Sequence, residues 1–356
     1  MERYESVELI VRKIVPTLTG DADKDEDSFY TMADKYANHP RYGVICARLA
    51  KEYAGLVASH IASEQLCAPA RGKSSRQRFP RADSYISSSS PEMEAAQMRY
   101  EIKHIGLLFA QNKIDWALNM ASNLVEQIEK YEEFLLKEKK LRSRFYNELF
   151  EEILDPSQPD SETIVQTVDR PIPWVYYLCG SILNHQKRFD EAKIVLERGL
   201  KFNPADSDLL FEQIEAVREM GDLELFEELT RKAFSLAFRA RDIARCYRNL
   251  GDCCGAKRRF RAAVVCCALG ARYETNSESE AQIAKIAGGT ARNTAPPNEG
   301  EIARYAEKYG IPLVPNERVV KLAAAYAKYH AEKNQSEEEK YFTDILENEL
   351  KTSGPF

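Results

Sequence analysis

Gly180, Ala192 and Pro204 are spaced at twelve-residue intervals in WVYYLCGSILNHQKRFDEAKIVLERGLKFNP, residues 174–204. Gly251 and Ala263 repeat the first of those intervals 71 positions later. The apolar positions around them are spaced for helices, not for strands. Two antiparallel helices joined by a short turn approach closely only where side chains are small, so the spacing predicts a hairpin in which glycine faces alanine. Pro204 cannot continue a helix and pushes Asn203 out of helical geometry, which closes the second helix. Asp190 is placed to cap the start of that helix. A single hairpin cannot bury its apolar face alone, so neighbours must stack on it.

The gap between Gly180 and Gly251 leaves room for one further unit of roughly 35 residues. LLFEQIEAVREMGDLELFEELTRKAF, residues 209–234, fills it as two amphipathic segments meeting at Gly221-Asp222. The three units together resemble the tetratricopeptide repeat family. Tyr176, Gly180, Ala192 and Pro204 match its pattern in the first unit, and Tyr247, Leu250, Gly251, Phe260 and Ala263 match in the third. The middle unit departs, with Ile214 in place of glycine, Phe226 in place of alanine, and no closing proline. The resemblance implies an all-α fold of antiparallel hairpins stacked as a right-handed solenoid over 173–275. It also implies that the first helices line a concave groove for a partner protein or peptide.

The rest of the chain is read as follows. Residues 1–66 form an N-terminal helical region, with helices over 5–18, 25–38 and 42–65. Residues 67–92 are a polar basic linker or loop carrying Arg71, Lys73, Arg76, Arg78 and Arg81. Residues 93–155 are helical with a divergent repeat, ending in a long charged helix over 128–154. Residues 276–356 form C-terminal hairpins and a cap, with helices over 278–288, 299–309, 316–333 and 336–350. Strand alternation is absent from this reading.

Charge is the main guide to partners. The chain carries a net charge of −6, which argues against a surface built throughout for nucleic acid. Its distribution is uneven: eleven Lys or Arg between 231 and 272 face only Asp242 and Asp252, while nine acids between 205 and 230 face only Arg218. Either the two stretches neutralise each other, or the basic helix offers a site for an acidic peptide. The second reading selects Tyr177, Ser181, Phe211, Glu215, Arg241, Arg245, Arg248 and Asn249 as groove residues. Arg245 and Asn249, one turn apart, are aimed at a carboxylate. A regulator contacting nucleic acid through 231–272 is the alternative.

No catalytic arrangement is legible. Cys246, Cys253, Cys254, Cys266 and Cys267 cluster, but without the C-x₂-C turns of a metal site, and are assigned to core packing. None of the five histidines has a second histidine at ligand spacing, and no glycine-rich loop follows a strand. No run approaches eighteen apolar residues, the first residues do not read as a secretion signal, and the cysteine usage fits a reducing compartment. The expectation is a cytoplasmic binding scaffold with no enzymatic activity, no cofactor and no membrane contact.

Overall fold

The computed structural model describes residues 7–18, 91–156, 164–274 and 295–351, with six isolated positions between 25 and 49. The helices expected over 25–38, 42–65 and 278–288 lie outside the described residues, apart from those isolated positions, as does the linker expected over 67–92, except that its last two residues, Pro91 and Glu92, begin a helix. In chain order the elements are α1 (Val7–Ile14), α2 (Pro91–Ala110), α3 (Ile114–Lys139), β1 (Leu141–Arg144), α4 (Leu149–Leu154), β2 (Ile164–Thr167) and α5 (Ile172–His185). There follow α6 (Phe189–Gly199), α7 (Ser207–Met220), α8 (Leu223–Leu236), α9 (Ala240–Ala256), α10 (Phe260–Ala271), α11 (Glu299–Tyr309), α12 (Glu317–Glu332) and α13 (Ser336–Asp344). A π-helical turn, Ile345–Glu349, closes the last helix. The protein is mostly helical, as expected. Among the described residues no helix is long and apolar enough to cross a membrane.

The chain divides into two compact units. The first takes the chain up to Glu148 and Ser157–Pro204; the second takes Leu149–Pro156 and the chain from Ala205 onward, with Met1. The division falls at Pro204, inside the stretch read as one repeat array.

In the first unit α5 is the core helix, with every residue from Ile172 to Leu183 buried, and α2, α3 and α6 packed against it. The long helix expected over 128–154 is interrupted, and this corrects the sequence reading. Lys140 turns left-handed (φ 53°) and ends α3, its N–H bonded to the carbonyls of Leu135 and Leu136. The chain then runs as β1, paired in parallel with β2 from Leu141↔Ile164 to Arg144↔Thr167. Side chains make this turn from helix to strand. Glu132 of α3 accepts from the Ser143 hydroxyl at 2.6 Å and its N–H at 3.2 Å. Arg144 donates to the Lys201 carbonyl at 2.6 Å. The expected absence of strands is therefore wrong for these eight residues.

The α5–α6 hairpin forms with a shifted contact and a shifted cap. Gly180 faces Leu196, not Ala192: a Cβ built on Gly180 would lie 2.4 Å from Leu196 Cγ. The capping position is Arg188, not Asp190, because Lys187 takes the left-handed conformation (φ 61°) one residue earlier. Asp190 sits instead in the first turn, where its charge favours the positive end of the helix.

Among the described residues the second unit carries three hairpins. Asp206 caps α7 by accepting from the N–H groups of Asp208 and Leu209. Gly221 (φ 78°) and Asp222, which accepts from Leu225 N–H at 3.0 Å, make the expected junction between α7 and α8. α8 packs on α9, and α9 on α10. There Gly251 does face Ala263, whose carbonyl would lie 3.4 Å from an added Cβ. Gly310 (φ 62°) ends α11, Asn316 caps α12 through Arg318 N–H, and α12 and α13 pair as the last hairpin. Phe342 of α13 is fully buried against Tyr326, His330 and Phe150 of α4.

The two glycines give opposite expectations for alanine. Gly180→Ala forces Leu196 out of place and should destabilise the first unit by about 1–3 kcal/mol. Gly251→Ala meets only ordinary contacts and gains helix propensity of about 1 kcal/mol, so its net effect should be within about 1 kcal/mol of zero. Chemical denaturation of both variants measures the difference.

Candidate partner-binding site

Four of the eight groove residues are buried. Tyr177 and Ser181 lie inside the first unit on α5, and Phe211 and Asn249 lie buried on α7 and α9 of the second. Their side chains lie in the interior and not on an exposed groove surface. All four lie on helices, as their spacing predicts. Whether a residue on a repeat helix faces a groove or a neighbour depends on packing that no spacing encodes.

The charged members lie at the half-buried margin of the second unit. Glu215 pairs with Arg218 one turn along α7. Arg241 approaches Asp208 at 3.7 Å and Asp242 at 3.4 Å, and Arg248 approaches Glu274 at 3.3 Å. Mutual neutralisation thus describes Arg241 and Asp208, although Glu215 finds its partner on its own helix. Arg245 differs. Its guanidinium carbon sits 4.5 Å from the centroid of the Phe211 ring, and no carboxylate pairs with it among the described residues. Phe211, chosen as a contact residue, acts instead as the surface on which Arg245 rests.

A charge network absent from the sequence reading holds the start of α9. Arg239 donates to Glu151 of α4 at 3.1 Å, to Asp242 at 3.2 Å and to Ser207 at 3.0 Å, and stands over the Phe238 ring at 4.6 Å. Ser207 donates onward to Asp242 at 2.9 Å. Glu349 accepts from Ala240 N–H at 2.7 Å, which satisfies a free donor at the helix start. Burial opposes ionisation of Asp242. The charges of Arg241 and Arg239 and the hydrogen bonds from Ser207 and Arg239 outweigh it, holding the carboxyl below its ordinary range. No local signal connects Glu151 to Arg239, which are 88 residues apart.

The cysteine cluster is buried between α9 and α10, with every thiol free. Burial pushes Cys253 and Cys267 up to about 12 and Cys246 well above its ordinary value. A hydrogen bond to Cys266 and the charge of Arg259 hold Cys254 lower, against the effect of burial. Among the described residues no group of three His, Cys, Asp or Glu side chains is placed to hold a metal ion. No protein-family model matches the chain, and no curated protein matches it.

The Arg239 network predicts acid sensitivity. A carboxyl held below its unfolded value, about 3.9 for Asp, contributes stability that is present above that pH and lost as pH falls through the folded value. The urea midpoint should therefore drop between about pH 5 and pH 3. Arg239→Met removes the arginine that bridges Glu151 and Asp242, leaving Arg241 and Ser207 on Asp242, and should cost about 3–5 kcal/mol at neutral pH. Its acid-induced loss should be smaller than in the parent, because Asp242 then titrates nearer its ordinary range. Urea titrations of both proteins across that pH span check the sign.

Proposed function

We propose that the protein is a non-catalytic scaffold of tetratricopeptide-like helical hairpins that binds an acidic segment of another protein. The observation that carries this reading is Arg245. It is half-buried, braced on Phe211, and without an ion-pair partner among the described residues, while Arg241 and Arg248 on the same helix are both engaged. A cation held against a ring keeps its donors available and has less freedom left to lose on meeting a carboxylate. The small-residue contact at Gly251 and the packing of α8 on α9 support a repeat-like stack in the second unit. The compartment that fits the free buried thiols is a reducing one.

Arg245 is then the residue on which affinity depends, with Arg241 and Arg248 serving the fold. The test is affinity capture from native cell extract with the full chain as bait, followed by titration of the captured partner. Arg245→Glu should weaken binding at least tenfold, since a charge-assisted hydrogen bond contributes roughly 1.5–3 kcal/mol. It should change stability by only about 0.5–2 kcal/mol, through loss of the Phe211 contact. Arg241→Glu should do the reverse. Unchanged affinity in the Arg245 variant would remove the site.

A further inference from the structure

Most cations of the basic stretch 231–272 are engaged within the second unit, but Arg258 and Arg259, in the turn between α9 and α10, make no ion pair among the described residues. Arg258 and Arg259 are exposed in that turn, and Arg304 and Lys308 are exposed on the neighbouring helix α11. Among the described residues none of the four pairs with a carboxylate. The acids bordering them are already engaged: Glu227 by Arg231 and Lys257, and Glu301 by Arg261. Glu307, exposed on α11, is the carboxylate within the run itself.

The same surface is aromatic. Tyr305 and Tyr309, one turn apart on α11, stack with centroids 6.0 Å apart and planes 19° from parallel. Arg259 stands 4.8 Å from the Tyr309 centroid and Lys308 5.3 Å from it, and Arg304 stands 5.0 Å from the Tyr305 centroid. Phe260, beside Arg259 in sequence, is 40% exposed. The platform is fixed from beneath. Arg231 of α8 donates to the carbonyls of Gly310 at 2.7 Å and Tyr309 at 3.4 Å, tying the end of α11 in place.

We propose that this corner, formed by the α9–α10 turn and the end of α11, binds single-stranded nucleic acid. A single strand presents a phosphate and a flat base at every nucleotide, and this surface alternates cations with rings in the same way. Phosphates meet Arg258, Arg259, Arg304 and Lys308, while unstacked bases lie on Tyr305, Tyr309 and Phe260. An acidic peptide would use the cations braced on Tyr305 and Tyr309 and leave the exposed Phe260 without a role. A duplex keeps its bases stacked inside and offers only the phosphates. The site lies apart from Arg245 and does not rest on the peptide-binding reading.

The test is fluorescence anisotropy of a labelled oligouridylate of about twelve nucleotides, within the span of known single-strand sites, titrated with the full chain at several salt concentrations. Saturable binding is expected at about 50 mM salt. For four phosphate contacts the log–log salt slope should be near −2 to −3, at about −0.7 per contact. Arg259→Glu/Lys308→Glu should weaken binding at least tenfold and flatten the slope. Phe260→Ala/Tyr305→Ala should weaken it about fivefold or more with the slope kept, the signature of lost stacking. If the charge-reversed chain does not fold by circular dichroism, the milder Arg258→Gln/Arg304→Gln pair decides. The proposal is overturned by absence of binding at low salt, or by unchanged affinity in a folded cation variant. Equal or tighter binding of a polyglutamate peptide or a phosphatidylserine vesicle would also overturn it.

Discussion

Close approach between paired helices is the constraint on which both units rest. At Gly180 the backbone of α5 comes so near Leu196 that no Cβ fits, and at Gly251 the backbone of α9 meets the backbone and small side chains of α10. Interiors are packed at crystal-like density, so a contact of this kind fixes the crossing of two helices to within a fraction of a side chain. Ala263, Cys266 and Cys267 then fill the space that larger residues would force open. The cysteines thus serve as small apolar groups, and burial keeps most of their thiols protonated. Short caps such as Asp206 and Asp222 set where each helix begins, but the depth of each hairpin comes from these contacts.

Charge does two different things in the second unit. Arg239, Arg241 and Arg248 are drawn into ion pairs and hydrogen bonds that position helices, Arg239 and Arg241 on the buried Glu151 and Asp242, and Arg248 on the half-buried Glu274. Breaking such a set is costly because it strands a buried charge. Arg245 and the cations around Tyr305 and Tyr309 are different: rings, not carboxylates, support them. A cation held over a ring keeps its hydrogen-bonding capacity available, so these positions are where recognition is proposed. The formal charge of the whole chain conceals this local division.

How much of this could be read from the sequence depends on how far apart the interacting residues lie. The hairpin of Gly251 and Ala263 was legible because both partners sit on one twelve-residue interval. The Gly180 contact was legible only to within one turn, since spacing cannot tell Ala192 from Leu196 on the same helix face. Asp190 looked like a cap, but the left-handed Lys187 started the helix earlier. The β1–β2 pair was hidden because its anchors are tertiary: Glu132 on Ser143 and Arg144 on the Lys201 carbonyl. Phe211 was legible as an aromatic on the right helix but not as a buried one. The link from Glu151 to Arg239 had no local trace at all.

The central claim is that hairpins closed at small residues, not isolated helices, are the structural units of this chain. Native-state hydrogen exchange followed by mass spectrometry tests it most directly. The amides of α9 and α10 should open together, with a single free energy and a shared dependence on denaturant, because neither helix keeps its buried face without the other. Exchange in which α10 opens well before α9, with its own free energy, would contradict the claim.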